Sequence, residues 1–208
     1  MTESATGLIL RTRPLTETSL IVNWLTPDLG RISTVAKGAR RPKSQFAGKL
    51  DLFYTADFSF QRSRRSELHM LREVKLRETH PALRHELSYL QQAAYCARLI
   101  EQATETETPL PAVYDLLRAL LAHLPKQIPQ PQTLFAFVIK LLHELGLAPD
   151  LAQSKLTAGA RQIVGAFSVG DWLAVARLKL SEAQVQELRH FLHGFLIFHL
   201  GRIPKGRP

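Results

Sequence analysis

Near residue 80 the hydrophobic period of this chain changes from two to about three and a half, and that switch dictates strands first and helices after. In 50–61 (LDLFYTADFSFQ), Leu52, Tyr54, Ala56, Phe58 and Phe60 share one face, and Phe53, Thr55, Asp57, Ser59 and Gln61 share the other. In 67–77 (ELHMLREVKLR), Leu68, Met70, Val74 and Leu76 fall on one side, with Glu67, His69, Glu73, Lys75 and Arg77 opposite. Three shorter stretches rich in β-branched residues, 7–13, 18–26 and 30–37, are separated by TRPLTET and TPDLG. Pro27, Asp28 and Gly30 are turn residues by fixed φ, side-chain capping and tolerance of positive φ respectively. The pattern predicts five strands before residue 80.

Five antiparallel strands in so short a segment must curl to hide their edges. An oligonucleotide-binding (OB) barrel is the economical closure, with an SH3-like barrel as the competing solution. Beyond His80-Pro81 the spacing predicts helices over 86–103, 111–123, 131–145, 172–179 and 181–200. Pro131 suits a first helical position and Gly146 a left-handed cap, while Asp171 is a candidate N-cap and Ser181 with Gln184 makes a capping-box pattern. The stretch 146–170 is rich in Gly, Ala and Ser, and reads as an irregular connector with one short helical or extended turn. The expected class is α+β: a five-stranded OB-fold barrel over 1–80 and an all-helical domain over 81–208. At 208 residues, one or two compact domains are expected.

Charge follows the same division. The chain carries 27 Lys plus Arg against 18 Asp plus Glu, a net +9. Residues 1–80 hold a net +6, 81–150 a net −2 and 151–208 a net +5. Such a balance points to a polyanionic partner, nucleic acid first and anionic membrane second. The one cysteine, Cys96, allows neither an internal disulfide nor a thiolate zinc site, and it reads as a small core residue of a cytoplasmic protein. No stretch has the pattern of a signal peptide or the length of an apolar span, so a soluble protein with no membrane role is expected.

The densest local feature is 37–49, KGARRPKSQFAGK. Lys37, Arg40, Arg41, Lys43 and Lys49 would neutralise phosphates, and Phe46 would stack on a base. Arg31 joins them from the preceding strand. Arg62, Arg64 and Arg65 sit where a hairpin turns, and Arg202 and Lys205 follow the last helix; all are candidate DNA contacts. His190 and His193, three apart, with His199 beyond, have no carboxylate to complete a catalytic or metal set and read as surface or interface residues. No phosphate-binding G-x-x-x-x-G-K-[ST] loop is present, and the acids of the first 80 residues are scattered singly, so no catalytic residues, metal or cofactor are assigned. A DNA end-processing nuclease and an OB-fold RNA-binding module are the alternatives.

Residues 10–40, LRTRPLTETSLIVNWLTPDLGRISTVAKGAR, resemble the opening of the bacterial RecO family. The R-P-x-x-E-T-S-L segment stands here as Arg13 to Leu20, the G-R turn as Gly30-Arg31 and the V-A-K-G-A-R stretch as Val35 to Arg40. The likeness runs on through the aromatic strand at 52–60 to the H-L-G-R-x-x-K run at His199 to Lys205. The resemblance implies a non-enzymatic, nucleoid-associated recombination mediator that binds single- and double-stranded DNA and anneals complementary strands. It implies partnership with RecR in loading RecA, and docking to the acidic, apolar C-terminal tail of single-stranded-DNA-binding protein, for which Lys140 is a candidate cation. Many family members carry a four-cysteine zinc module. Here the corresponding stretch reads DLAQSKLTAGARQIVGAF, without cysteine, so the resemblance implies no zinc for this chain.

Overall fold

A computed structural model describes residues 2–204, which fall into two compact units, one of residues 2–81 with 104–115 and one of residues 82–103 with 116–204. The first unit is a barrel of five strands: β1 (Thr2–Pro14), β2 (Leu20–Thr26), β3 (Gly30–Ala36), β4 (Thr55–Gln61) and β5 (Leu68–Glu78). Its order is β1-β2-β3-β5-β4, closed on itself. β1 closes the barrel because it is long enough to serve two neighbours: Thr2 to Leu8 pair with β4, and Leu8 to Pro14 pair with β2. β3 and β5 run parallel through Ser33–Leu68, Thr34–His69 and Val35–Met70. That parallel closure of an otherwise antiparallel meander is the OB topology, and it decides against the SH3-like alternative.

The barrel interior is filled by Ile9, Val22, Trp24, Ile32, Phe58, Phe60, Leu71 and Val74. Trp24 stacks on Phe58 with ring centroids 4.0 Å apart, and its Nε1–H donates to Thr34 Oγ1 at 2.8 Å, which satisfies the one polar atom this ring carries inward. Two features differ from the sequence expectation. β4 begins only at Thr55; before it the chain turns, with Phe53 at φ 64° and buried, its N–H donating to the Ile9 carbonyl at 2.9 Å. In β5 the pairing steps from Phe60–Leu71 to Ser59–Glu73, so Arg72 is an extra residue on that strand. A one-residue bulge inverts the alternation. His69, expected on the polar face, is therefore buried together with Leu71, and Val74 resumes the inward face beyond the bulge.

The helical unit contains α1 (Leu87–Ala103), α3 (Pro131–Glu144), α4 (Ala158–Val169), α5 (Trp172–Arg177) and α6 (Glu182–Leu200), together with the later residues of α2 (Pro111–His123). α3 is central: every residue from Gln132 to Ile139 is buried, and α1, α4, α5 and α6 pack around it. Its apolar run all round, Leu134 to Ile139, is what a helix enclosed on every side requires. The caps read from sequence are present. Asp171 accepts from the Ala174 N–H at 2.7 Å, Ser181 and Gln184 form the capping box, and Gly146 has φ 70°. The stretch 146–170 is more ordered than expected, since α4 occupies its second half. Thr157 caps α4 through its Oγ1, and Ala160, Val164 and Phe167 form a buried stripe at spacings of four and three. Small residues on the other positions hide that periodicity from a hydrophobicity reading.

Candidate nucleic-acid interface

The loop joining β3 to β4 carries half of the predicted contacts. Residues 38–49 fold as consecutive turns, with Arg41 N–H donating to Gly38 O, Ser44 to Arg41 O, Ala47 to Ser44 O and Lys49 to Phe46 O, each within 3.1 Å. Phe46 pins these turns by inserting into the barrel core, where it is 4% exposed. This corrects the stacking role expected for Phe46: a ring enclosed by barrel side chains offers no face to a base. Lys37, Arg40, Arg41 and Lys43 are exposed. The Arg40 amide donates to Thr18 O at 3.0 Å and its Nη1 to Thr16 O at 3.2 Å, so its backbone is fixed while most of the guanidinium faces outward. Lys49 is half-buried beside a cavity of about 410 Å³ that Asp57, Glu73 and Lys75 also line. The Asp57 carboxyl is held below its ordinary value by hydrogen bonds from Arg77 and Thr6.

The second predicted group lies at the other end of β3, roughly 20 Å away at ~3.3 Å per residue. Here the structure commits two of the arginines to the chain itself. Arg31 donates through Nε to Thr104 Oγ1 at 2.8 Å and through Nη2 to Thr104 O at 2.5 Å. Arg62 grips Glu3 with both Nε (2.8 Å) and Nη2 (3.1 Å), and its Nη1 meets Glu107 Oε2 at 2.8 Å. Arg31 and Arg62, expected as direct DNA contacts, are thus engaged by hydroxyl, carbonyl and carboxylate oxygens of the chain itself. The two partners hold each other's charge: the Glu3 carboxyl is lowered and the Arg62 guanidinium raised, in each case chiefly by their mutual hydrogen bonds. Arg64 and Arg65 remain exposed at the hairpin tip.

The segment that supplies the Thr104 and Glu107 oxygens, 104–110, was invisible as part of the barrel from sequence. Thr106 bridges β3 at Arg31, the Glu107 amide donates to Arg31 O at 2.9 Å, and Glu107 Oε1 lies 2.9 Å from His69 Nε2. Gly30 permits the close approach. It has φ +67°, and a Cβ there would lie 2.0 Å from the Thr108 carbonyl oxygen. Gly30→Ala is therefore expected to cost about 2–4 kcal/mol, combining left-handed strain with a backbone clash that no rotamer relieves. Urea unfolding checks the magnitude, and faster hydrogen exchange at the Glu107 amide would show that segment 104–110 has been displaced.

In the helical unit, Arg202 is exposed just past α6, while Lys205 lies outside the described residues. Lys140 is half-buried on α3 and donates to the Ser168 carbonyl at 3.3 Å; desolvation lowers its pKa against the opposing pull of Asp171 and Glu144. His190 and His193 are exposed, and the His199 ring packs on Phe195 at 4.4 Å. Cys96 is fully buried, and burial pushes its thiol well above the ordinary range. Among the described residues no three His, Cys, Asp or Glu side chains are grouped to hold a metal ion, and no helix is long and apolar enough to cross a membrane.

A closed OB barrel bearing a cationic loop, followed by a helical unit, defines the structural class. Within it, residues 1–80 match the profile of the recombination protein O N-terminal family and residues 84–158 that of the recombination protein O C-terminal family. The chain is 30% identical over 206 residues to the DNA repair protein RecO of Bacillus pumilus, across 95% of this chain and 79% of that protein. It is 26% identical over 208 residues to the RecO of Exiguobacterium sibiricum, across 98% and 82%. With the RecO of Rhodopirellula baltica the identity is 34% over 143 residues, across 69% of this chain and 53% of that protein. The chain belongs to the RecO family of DNA repair proteins.

Proposed function

We propose that this chain is a non-enzymatic recombination mediator that binds single- and double-stranded DNA, anneals complementary strands and, with RecR, helps load RecA onto DNA coated with single-stranded-DNA-binding protein. The observation that carries the reading is the group of four exposed cations, Lys37, Arg40, Arg41 and Lys43, on a loop pinned to the barrel by Phe46. Annealing needs no bond chemistry. Two strands repel because each is a dense line of phosphates, and a fixed cationic surface lowers that repulsion while base pairing supplies the specificity. Arg64 and Arg65 extend the same chemistry at the hairpin, and Arg202 and Lys205 beyond α6. The reading places the protein in the cytoplasm, at the nucleoid.

Docking of an acidic, apolar tail requires an apolar groove with a cation for the terminal carboxylate. Lys140 supplies a cation, though its ammonium is already turned to the Ser168 carbonyl. A groove of about 380 Å³ between Lys155–Leu156 and the Phe191 and Phe195 face of α6 combines both properties within the helical unit. The test is annealing of complementary oligonucleotides coated with single-stranded-DNA-binding protein, with and without its tail. Accelerated annealing that depends on the tail is expected. Failure to anneal even naked strands at low salt would overturn the proposal, and tighter binding to RNA than to DNA of equal length would turn it toward an RNA-binding module.

A further inference from the structure

Beside the β4–β5 hairpin is a cleft of about 590 Å³, lined by Arg62, Arg64, Arg65, Ser63, His69 and Glu107 among others. Its walls are rich in donors, and the group that fills it is an anion belonging to the chain. The Glu107 carboxylate sets one oxygen on Arg62 Nη1 at 2.8 Å and the other on His69 Nε2 at 2.9 Å. His69 Nδ1 accepts the Ser63 N–H at 3.4 Å, so Nε2 carries the proton that is offered to Glu107.

A phosphodiester is, like a carboxylate, singly charged with two equivalent acceptor oxygens, and a guanidinium binds either in the same planar geometry. We propose that this cleft is a phosphate subsite for a nucleic-acid strand, kept filled by the chain's own Glu107, so that a strand enters by displacing segment 104–110 locally. The inference rests on the DNA-binding reading above and adds a built-in competitor to it.

Three features support exchange rather than permanent closure. The Glu107 side chain is 44% exposed, so its carboxylate can return to water at small cost, whereas His69 is 2% exposed. A buried imidazole N–H is costly to leave without an acceptor, and an incoming phosphate oxygen meets that need as Glu107 does. Glu107 also sits at φ 55°, a left-handed conformation that a non-glycine residue relinquishes with relief of strain. Meanwhile Glu3, on β1, keeps Arg62 aimed by its two-pronged grip, and Arg31 retains Thr104 as the hinge. Only the tip of the segment has to move.

The test uses the full chain and a fluorescein-labelled oligo-dT 15-mer, titrated by anisotropy between 50 and 200 mM salt. Glu107→Gln keeps the side-chain length and one acceptor but gives up the charge that competes with phosphate. It is expected to tighten binding by about fivefold and steepen the salt slope by about 0.7, one added phosphate contact on a single strand. Glu105→Gln removes the same charge from the same segment without touching Arg62 or His69 contacts, and is expected to change affinity by less than about twofold. Adding Arg62→Ala to Glu107→Gln should erase the gain. Equal effects of the two glutamine variants, or a gain that survives Arg62→Ala, would overturn the subsite while leaving DNA binding intact. If wild type and variants all ignore the oligonucleotide, the DNA-binding reading itself fails. Should Glu107→Gln not fold, exchange at the Glu107 amide of the wild type decides: acceleration on adding oligo-dT supports displacement, and unchanged or slower exchange refutes it.

Discussion

Alanine at Lys37, Arg40, Arg41 and Lys43 together is expected to weaken binding to oligonucleotides of every sequence alike, by a factor on the order of 10² to 10³ at 0.1 M salt. It should also flatten the salt dependence by about 3 units of slope. All four side chains are exposed, so the change removes charge without opening the core. Phe46 still pins the loop from beneath, and surface substitutions of this kind shift stability by only about ±0.5 kcal/mol. The loss would therefore be one of electrostatics and not of folding. Anisotropy titrations across salt concentrations, beside a melting curve of the same sample, check both halves. An unchanged slope would take the loop out of the interface.

Trp24→Ala is expected to destabilise the barrel by about 3–5 kcal/mol. The ring is fully buried, stacks on Phe58 at 4.0 Å and donates to Thr34, which is itself fully buried. Truncation empties the middle of the barrel and leaves Thr34 Oγ1 without its indole donor. Against a typical domain stability of about 5–15 kcal/mol, that loss leaves the barrel marginal. Trp24→Phe separates the two contributions: it keeps most of the stacking volume, gives up the Thr34 hydrogen bond, and should cost about 1–2 kcal/mol. Urea unfolding followed by far-ultraviolet circular dichroism reads both variants. A midpoint for Trp24→Ala close to that of wild type would mean that the stack contributes little to the barrel.

The strand half was legible because alternation is a local property. Thr55 to Gln61 alternates whether or not the rest of the chain is present, and the turn residues around Gly30 bound β2 and β3 in the same way. The caps at Asp171 and Ser181 were legible for the same reason, since a capping hydrogen bond reaches only three residues along the chain. The bulge at Arg72 was not, because an extra residue is defined only by the strand opposite it, and its consequence, a buried His69, inverts the face assignment upstream. Nor was α4: its stripe of Ala160, Val164 and Phe167 contains one large residue, and only packing beneath α3 makes the alanine a core position. Phe46 misled in the opposite direction. An aromatic residue among cations on a loop looks like a stacking platform until the loop is seen to fold inward over the barrel.

The order of strands and helices, the concentration of positive charge in the first 80 residues and the poverty in cysteine follow from the linear chain, because each depends on residues that are neighbours or on a plain count. Which cations are open to a ligand was decided only by the tertiary structure. Arg62 is partnered by Glu3 and Glu107, 59 and 45 residues away along the chain, and Arg31 by Thr104, 73 residues away. A guanidinium's availability depends on the oxygens within about 3 Å of it, and chain closure alone brings residues so far apart to that distance. Lys37, Arg40, Arg41 and Lys43 instead lie exposed on the loop between β3 and β4, and the proposed function assigns them to the phosphates.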